Sequence, residues 1–157
     1  MSKRKCVIVD IDGVLANSED EVKKHIKDDK DYSAFEKSYP KHKTHQWAID
    51  LVKIFYKTMD IIIVTGRADR NRTRPDIEEW LYDNEIPFDG IMMREDKDYR
   101  PSSIIKKESL LILKEEYDVY MALEDHPDVN KMYDEEGVIC LMPNNSGYLK
   151  DDKTTEV

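Results

Sequence analysis

The stretch CVIVDIDGVLA, residues 6–16, decides the predicted fold class. Residues 6–11 form an apolar run, interrupted only by Asp10, that ends at Asp12-Gly13. Such a run followed by a break is typical of a strand buried in a parallel sheet. The stretch therefore predicts a first strand with two carboxylates, Asp10 and Asp12, at its carboxyl end.

The chain downstream of this stretch alternates between short apolar runs and longer segments with helical periodicity. The apolar runs predict further strands at 61–64, 90–93, 119–123 and 138–142. Helices are predicted over 47–58, from Pro75, from Pro101 to about residue 117, and from Pro127 to Gly137. This order predicts an α/β fold, a parallel sheet with helices on both faces.

Three of the predicted helices carry an apolar stripe that we expect to face the sheet. The stripes are Trp47, Leu51, Ile54, Phe55 and Thr58 in the first helix, Ile77, Trp80 and Leu81 in the second, and Ile104, Ile105, Leu111 and Ile112 in the third.

The length of 157 residues is that of a single domain. We expect one domain over residues 1–149 and a flexible tail over 150–157. Within the domain, residues 17–46 are highly charged and are predicted to form a small helical insertion on the surface.

The composition excludes several classes of protein. Apolar residues make up 39% of the chain, with runs that can fill a core, so a wholly disordered chain is excluded. The net charge of −9 argues against sequence-blind wrapping of nucleic acid or an anionic membrane. Cys6 and Cys140 lie in apolar runs and are expected to be reduced core residues. No run approaches a membrane span, and Asp10 and Asp12 interrupt the signal-peptide-like start, so a cytoplasmic protein is expected.

Reactive side chains follow three of the predicted strands, namely Asp10 and Asp12, then Thr65, then Glu124 and Asp125. Ligands of open α/β sheets bind at the carboxyl ends of the strands, so these residues predict a single pocket. Carboxylates as close as Asp10 and Asp12 suit a metal-binding nucleophile beside a general acid and base. Acidic pairs are also common in solvated turns.

The residues at the other two strand ends also have both a functional and a purely structural interpretation. Thr65-Gly66 can hold a phosphoryl oxygen with its hydroxyl and nearby amides, or can simply end a strand. Glu124 and Asp125 offer hard oxygen ligands for Mg²⁺; alternatively, Asp125 or His126 caps the helix that begins at Pro127. The four histidines are not expected to be catalytic.

Basic residues provide candidate contacts to phosphate. Either Lys106 or Lys107 can neutralise a phosphoryl group, while the other is expected to face solvent. Segment 67–74 holds four arginines and one aspartate, which indicates binding of further phosphates or a nucleic acid backbone. The alternative is a solvated loop paired with the acids of 76–85. The candidate substrate-binding residues are Gly66, Arg67, Arg70, Arg74 and Arg100.

Taken in order, the DxDGV motif, the Thr-Gly strand end, a lysine on a later helix and an acidic pair resemble the haloacid dehalogenase (HAD) superfamily. The resemblance spans residues 10–125 and implies a Rossmann-like fold in which 17–46 is a small cap. It implies that Asp10 attacks phosphorus to form an aspartyl-phosphate. Asp12 would protonate the leaving oxygen and then activate water.

The resemblance also implies how the site binds its ligands. The implied Mg²⁺ ligands are Asp10, Asp12 through its backbone carbonyl, Glu124 and Asp125, with Asp125 the expected direct ligand of the acidic pair. Thr65 and Lys106 would hold the phosphoryl oxygens. The pair is Glu-Asp where the family pattern leads us to expect Asp-Asp, which leaves open which of the two binds the metal.

Within the superfamily, the chain is similar to the 3′-phosphatase domain of phage polynucleotide kinase. The similar stretches are VIVDIDGVLA, IIIVTGR, RPSSIIKKE, MALED and GVICL. The spacing in RPSSIIKKE favours Lys106 over Lys107. No GxxxxGK[ST] motif is present, so we expect no P-loop kinase half in this chain. A small cap would leave the pocket open to a large substrate such as a nucleic acid end.

The sequence therefore predicts a Mg²⁺-dependent phosphohydrolase acting on a terminal phosphate of a nucleic acid or nucleotide, with the 3′ end favoured. A 5′(3′)-nucleotidase or a small-molecule phosphatase of the same fold is the alternative. A phosphate-receiver module without turnover is disfavoured, because a receiver needs no general acid at the position of Asp12.

Overall fold

The computed structural model describes residues 2–28 and 31–144, so the predicted tail at 150–157 lies outside the described residues. In chain order the strands are β1 (Arg4–Val9), β2 (Ala16–Asn17), β3 (Lys43–Thr44), β4 (Asp60–Asp69), β5 (Gly90–Glu95), β6 (Tyr117–Leu123) and β7 (Cys140–Leu141). The predicted strands are all present, although β4 is longer and β7 shorter than the apolar runs that predicted them.

The helices follow the predicted order. They are α1 (Glu19–Val22), α2 (Tyr32–Ser38), α3 (Gln46–Tyr56), α4 (Thr73–Asp83), α5 (Ser102–Glu116) and α6 (Pro127–Glu135), with a π-helical stretch at Lys23–Asp28 and a 3₁₀ turn at Tyr39–Lys41. Helix α5 begins directly after Pro101 and α6 begins at Pro127, because the first turn of a helix does not need the N–H that proline lacks. Helix α4 starts two residues before Pro75.

Five parallel strands form the main sheet in the order β5-β4-β1-β6-β7, which confirms the predicted α/β class. Side chains of the central strand β1 alternate between the two faces. Val7 and Val9 pack in a core cluster with α3 and α4. Cys6 and Ile8 pack in a second cluster with α5 and α6. The sheet therefore carries helices on both faces, as predicted.

The structure corrects the predicted apolar stripes of two helices. In α3 the buried residues are Ala48, Ile49 and Val52, and the predicted Leu51 and Phe55 are partly buried against the same core cluster. Trp47 is 40% exposed, and Ile54 and Thr58, which follows the helix, also face solvent. In α5 the residues predicted to be buried but found exposed are Ile104, Leu111 and Ile112. The inward face of α5 instead carries Ile105, Lys106, Ser109, Leu110 and Leu113. The predicted stripe of α4 is confirmed, with Ile77, Trp80 and Leu81 buried.

Lys106 explains the orientation of α5. Its side chain is buried at the end of the sheet, and positions three, four and seven residues further along a helix lie on the same face. Ser109, Leu110 and Leu113 occupy those positions. The apolar residues outside this face are therefore left at the surface.

The two ends of segment 17–46 lie side by side in the fold. Strands β2 and β3 pair antiparallel, with Ala16 opposite Thr44 and Asn17 opposite Lys43. Trp80 of α4 donates its Nε1–H to the backbone carbonyl of His42 at 2.9 Å. These contacts fix the segment at the carboxyl end of the sheet.

The cysteines and the apolar character of the helices can be described for the same residues. Both cysteines are free, with Cys6 buried and Cys140 partly buried. None of the described helices combines the length and the apolar character needed to cross a bilayer.

The orientation of α5 can be tested with two adjacent leucines. Leu110 is fully buried and Leu111 is 47% exposed. We expect Leu110→Ala to lower the free energy of unfolding by about 3 kcal/mol, because it leaves a cavity in the core. Leu111→Ala should cost less than about 0.5 kcal/mol. Equal losses in urea denaturation would contradict the assigned orientation of the helix.

Candidate active site

The site lies at the carboxyl ends of β1 and β6, which are neighbours in the sheet. From β1 the chain proceeds to β4 and β5 on one side, and then crosses to β6 on the other. Such a change of direction leaves a crevice between the two adjacent strands. Asp10 follows β1 and donates its N–H to the carbonyl of Leu123 at 3.0 Å. The ends of the two strands are thereby held side by side, and Glu124 and Asp125 follow β6 directly.

Three buried carboxylates meet in this crevice. Oxygen atoms of Asp10, Glu124 and Asp125 lie within 4.8 Å of one another. Lys106 places its Nζ 2.9 Å from Asp10 Oδ1 and 2.5 Å from Glu124 Oε2. The structure therefore brings together three of the four predicted metal ligands and the predicted lysine.

The charges of this cluster are unbalanced, since one ammonium faces three carboxyl groups. Burial, reinforced by Glu124, raises the pKa of Asp10 well above its usual range. The same two causes raise the pKa of Asp125 to about 8. Burial opposes the charged form of Lys106, but Asp10 and Glu124 outweigh it and raise the pKa of this lysine. Three hard oxygen donors with excess negative charge suit a small divalent cation.

The two members of the acidic pair have different surroundings. Glu124 Oε1 accepts hydrogen bonds from the backbone N–H groups of Asp125 and His126, both at 3.1 Å, and its Oε2 contacts Lys106. Glu124 is thus occupied in holding the turn after β6. The helix-cap alternative is filled by His126, whose side chain accepts from the N–H of Asp128.

Asp125 lies against the turn after β1, where Gly13 allows its close approach. Gly13 adopts a φ of +82°, and a Cβ built there would lie 1.9 Å from Asp125 Oδ2. Any larger residue at position 13 would displace the Asp125 carboxylate. The glycine of the DxDG motif is therefore needed both for its backbone conformation and for the space it leaves.

Asp12 turns its carboxylate away from this cluster and towards Arg67. The Arg67 guanidinium donates two hydrogen bonds to Asp12, at 2.8 and 2.6 Å. Burial works against ionisation of Asp12, but Arg67 outweighs it and lowers the pKa of the carboxyl. Arg67 is itself buried, and its Cζ lies 3.6 Å from the centre of the Tyr39 ring. The predicted general acid is thus held by an arginine that packs on segment 17–46.

His42 extends this contact into the segment. The Ser38 hydroxyl donates to the Phe35 carbonyl at 2.6 Å, so its oxygen accepts from His42 Nε2–H at 2.8 Å. His42 Nδ1 is then free to accept from Arg67 at 3.3 Å. Burial and the charge of Arg67 lower the pKa of His42, which agrees with a neutral ring.

The end of β4 supplies the remaining predicted residues. The pairing of β4 with β5 shifts between Thr65 and Ala68, so Gly66 and Arg67 lie in a bulge. Thr65 Oγ1 accepts the N–H of Arg67 at 3.2 Å. The Thr65 side chain is buried. It does not line the open cavity that lies above the site, whereas Gly66 does.

An open cavity of about 1590 Å³ covers the site. It is lined by residues of the cluster, of segment 17–46 and of the loop after β5, and its arginines are Arg67, Arg70, Arg94 and Arg100. Arg74, predicted to bind substrate, lies outside it and bonds to Asp69 and the Ile91 carbonyl.

Acidic residues pair with most of the predicted arginines. Arg70 donates a hydrogen bond to Glu36, and its Nη1 lies 3.8 Å from Asp96 Oδ1. Arg100 binds Asp98 at 2.7 Å and Glu108 at 2.6 Å. The positive charge seen in the sequence of 67–74 is therefore largely balanced in the fold. Of the acids proposed as alternative partners, the structure pairs Asp76 with Arg72 at 3.4 Å.

Sequence reasoning missed two residues of this region. Arg94 bonds to the carbonyls of Gly66, Asp98 and Arg100, and its position after the predicted strand 90–93 was an available signal. His42 carried no comparable signal, because its contacts with Arg67 and Ser38 depend on tertiary structure.

Comparisons with known proteins identify a family and related structures. The family model described as the polynucleotide kinase PNKP phosphatase domain matches residues 4–148. A chain of the Pnkp1/Rnl/Hen1 RNA repair complex is 27% identical with a TM-score of 0.72, over 90% of this chain and 42% of that one. A second structure of that complex gives 26% identity and a TM-score of 0.71, over 91% and 47%. The chain thus spans less than half of these relatives.

A more distant likeness concerns the fold alone. The D,D-heptose 1,7-bisphosphate phosphatase from B. bronchiseptica, solved with magnesium and phosphate, is 14% identical with a TM-score of 0.63, over 93% of this chain and 83% of that one. No curated protein matches the chain.

The contact between Gly13 and Asp125 can be tested by substitution. Gly13 and Gly137 both adopt a positive φ, but a Cβ at Gly137 would meet nothing within 4 Å. We expect Gly13→Ala and Gly137→Ala each to lose about 1 kcal/mol of stability from backbone strain. Only Gly13→Ala should also lose at least about tenfold in hydrolysis of an aryl phosphate, because Asp125 is displaced. Equal activities of the two folded variants would contradict this role of Gly13.

Proposed function

The chain belongs to the family of polynucleotide kinase PNKP phosphatase domains, a group of HAD-type phosphatases, and on that basis we propose that it removes terminal phosphates from nucleic acid ends, with the 3′ end preferred. The observation that carries the proposal is the buried pair of Asp10 and Lys106, 2.9 Å apart beside two further carboxyl groups in an open cavity. This arrangement supplies a nucleophile, a cation and a metal-binding set at one point.

Asp10 is the proposed nucleophile. Its carboxylate oxygen forms a bond to phosphorus while the bond from phosphorus to the leaving oxygen breaks, which yields an aspartyl-phosphate. Lys106 contacts Asp10 and favours its ionised form, and in the complex it would neutralise charge on the phosphoryl oxygens. At the end of β4, the Thr65 hydroxyl accepts a hydrogen bond from the Arg67 backbone N–H. Thr65 is proposed to orient the phosphoryl group from this position.

Asp12 is the proposed general acid and base. It lines the same cavity as Asp10. In its protonated form it gives a proton to the leaving oxygen, and it later takes a proton from the water that hydrolyses the aspartyl-phosphate. Arg67 favours the ionised form of Asp12, which is the form that accepts the proton from water.

The three buried carboxyl groups fit a magnesium ion. Asp10 and Asp125 are the proposed direct ligands, joined by the backbone carbonyl of Asp12, because Glu124 already accepts hydrogen bonds from Lys106 and two backbone amides. When bound, the ion would shield the attacking carboxylate from the anionic substrate and polarise a phosphoryl oxygen.

A nucleic acid end is the proposed substrate for two reasons. The cavity above the site is open and large enough to admit a chain end. The relatives that are 26–27% identical belong to an RNA repair complex. Segment 17–46 is proposed to act as a small cap beside this opening. A nucleotidase or a small-molecule phosphatase of the same fold is the second candidate.

The test is phosphate release from a 3′-phosphorylated oligonucleotide, from its 5′-phosphorylated isomer and from a nucleoside 3′-monophosphate. We expect the 3′-phosphorylated oligonucleotide to be the best substrate, and its cleavage to require Mg²⁺. Asp10→Asn should lower the rate by at least about 10³-fold, because it removes the nucleophile. Asp118→Asn, an exposed acid at the opposite end of β6, should retain activity.

Cleavage of mononucleotides alone would replace the proposed substrate with the nucleotidase alternative. Full activity of Asp10→Asn would overturn the mechanism, whichever substrate is cleaved.

A further inference from the structure

The loop between β5 and α5, residues 96–101, forms one rim of the cavity and is held in place by Arg94. The guanidinium donates to the Gly66 carbonyl at 2.8 Å, to the Asp98 and Arg100 carbonyls at 2.9 and 2.6 Å, and to Ser102 Oγ at 3.0 Å. Among the described residues Arg94 has no carboxylate partner. The loop is therefore fixed before any substrate binds, and a positive charge lies behind it.

Lys97 occupies the tip of this loop in a conformation that few residues adopt. Its φ is +62°, and the Asp98 N–H donates to the Glu95 carbonyl at 3.2 Å to close the turn. A left-handed lysine is strained, and such strain persists only where the surroundings impose it. Strained residues of this kind cluster at binding sites.

The loop presents an uncommitted amine and an exposed aromatic ring to the cavity. Both Lys97 and Tyr99 line it, and Tyr99 is 84% exposed. Within the part of the chain that the structure describes, the Lys97 side chain has no hydrogen bond and no ion pair.

The acids of the loop do not cancel this amine. Asp98 is the acid of the loop that lines the cavity, and its carboxylate is bonded to Arg100 at 2.7–3.1 Å. Asp96 lies outside the lining and faces Arg70. Lys97 thus differs from Arg70 and Arg100, which already have carboxylate partners.

We infer that Lys97 and Tyr99 form a strand-binding subsite, in which Lys97 pairs with a backbone phosphate of the substrate and Tyr99 stacks on one of its bases. The inference rests on the proposed function, because it requires a nucleic acid substrate. A lysine releases counterions when it neutralises a phosphate, and an aromatic ring stacks on any base. The subsite would therefore bind a strand next to its terminal phosphate without reading its sequence.

The experiment compares a 3′-phosphorylated oligonucleotide with p-nitrophenyl phosphate, which has no strand to bind. The variants are Tyr99→Ala, Tyr99→Phe and Lys97→Asn, since asparagine tolerates a left-handed φ. The matched controls are Tyr82→Ala, which removes a tyrosine that is 83% exposed, and Lys57→Asn, which removes an exposed lysine outside the cavity lining.

We expect Tyr99→Ala and Lys97→Asn to lower kcat/KM on the oligonucleotide by about fivefold or more, mainly through KM. Hydrolysis of p-nitrophenyl phosphate should stay within about twofold of wild type. Tyr99→Phe should retain most of the oligonucleotide activity, because its ring still stacks. In Lys97→Asn the slope of log kcat/KM against log salt should fall by about 0.7, the value for one phosphate contact on a single strand.

Wild-type activity of Tyr99→Ala and Lys97→Asn on the oligonucleotide would overturn the subsite. Equal losses on both substrates would also overturn it, because they would mean that the loop supports the reaction centre. If the wild-type protein cleaves p-nitrophenyl phosphate but not the oligonucleotide, the proposed function fails first, and the subsite is rejected with it.

Discussion

The contact of one buried lysine with two of three buried carboxyl groups constrains the rest of this structure. Lys106 can reach Asp10 and Glu124 only if α5 turns this face towards the end of the sheet, which places Leu110 and Leu113 in the core. The same contact holds the ends of β1 and β6 together. One ammonium does not balance three carboxyl groups, so the cluster costs stability in the free protein. Such arrangements are typical of functional sites.

Arg67 connects Asp12, the proposed general acid, to segment 17–46. Its guanidinium binds Asp12, packs on Tyr39 and donates to His42. Asp10 and Asp12 are two residues apart in the chain, yet one lies among carboxylates and the other against an arginine. Burial and Glu124 raise the pKa of Asp10, whereas Arg67 lowers that of Asp12. The two carboxyl groups therefore have opposite surroundings, although only one residue separates them in the chain.

The sequence was most informative where local pattern determines structure. The succession of strands and helices along the chain and the helix starts at Pro101 and Pro127 were predictable, because each depends on a few neighbouring residues. The convergence of the reactive strand ends followed from the parallel sheet that this succession predicts. The face of α5 was not, since Lys106 draws a charged position inward and leaves Leu111 exposed. The ion pairs of the arginines could not be predicted either, since Arg70 binds Glu36, which lies 34 positions away in the sequence. Tertiary contacts of this kind leave no periodic signal in a single sequence.

Thermal unfolding tests most directly whether Mg²⁺ binds at Asp10 and Asp125, the two carboxylate ligands proposed for it. At about 100 times the dissociation constant, a bound ion stabilises the folded state by about 2.7 kcal/mol, which corresponds to a rise in Tm of roughly 5–10 °C. We expect this rise in the wild-type protein and in Asp134→Asn, an exposed acid of α6, and its loss in Asp125→Asn. No rise in the wild type, or an equal rise in Asp125→Asn, would contradict the account.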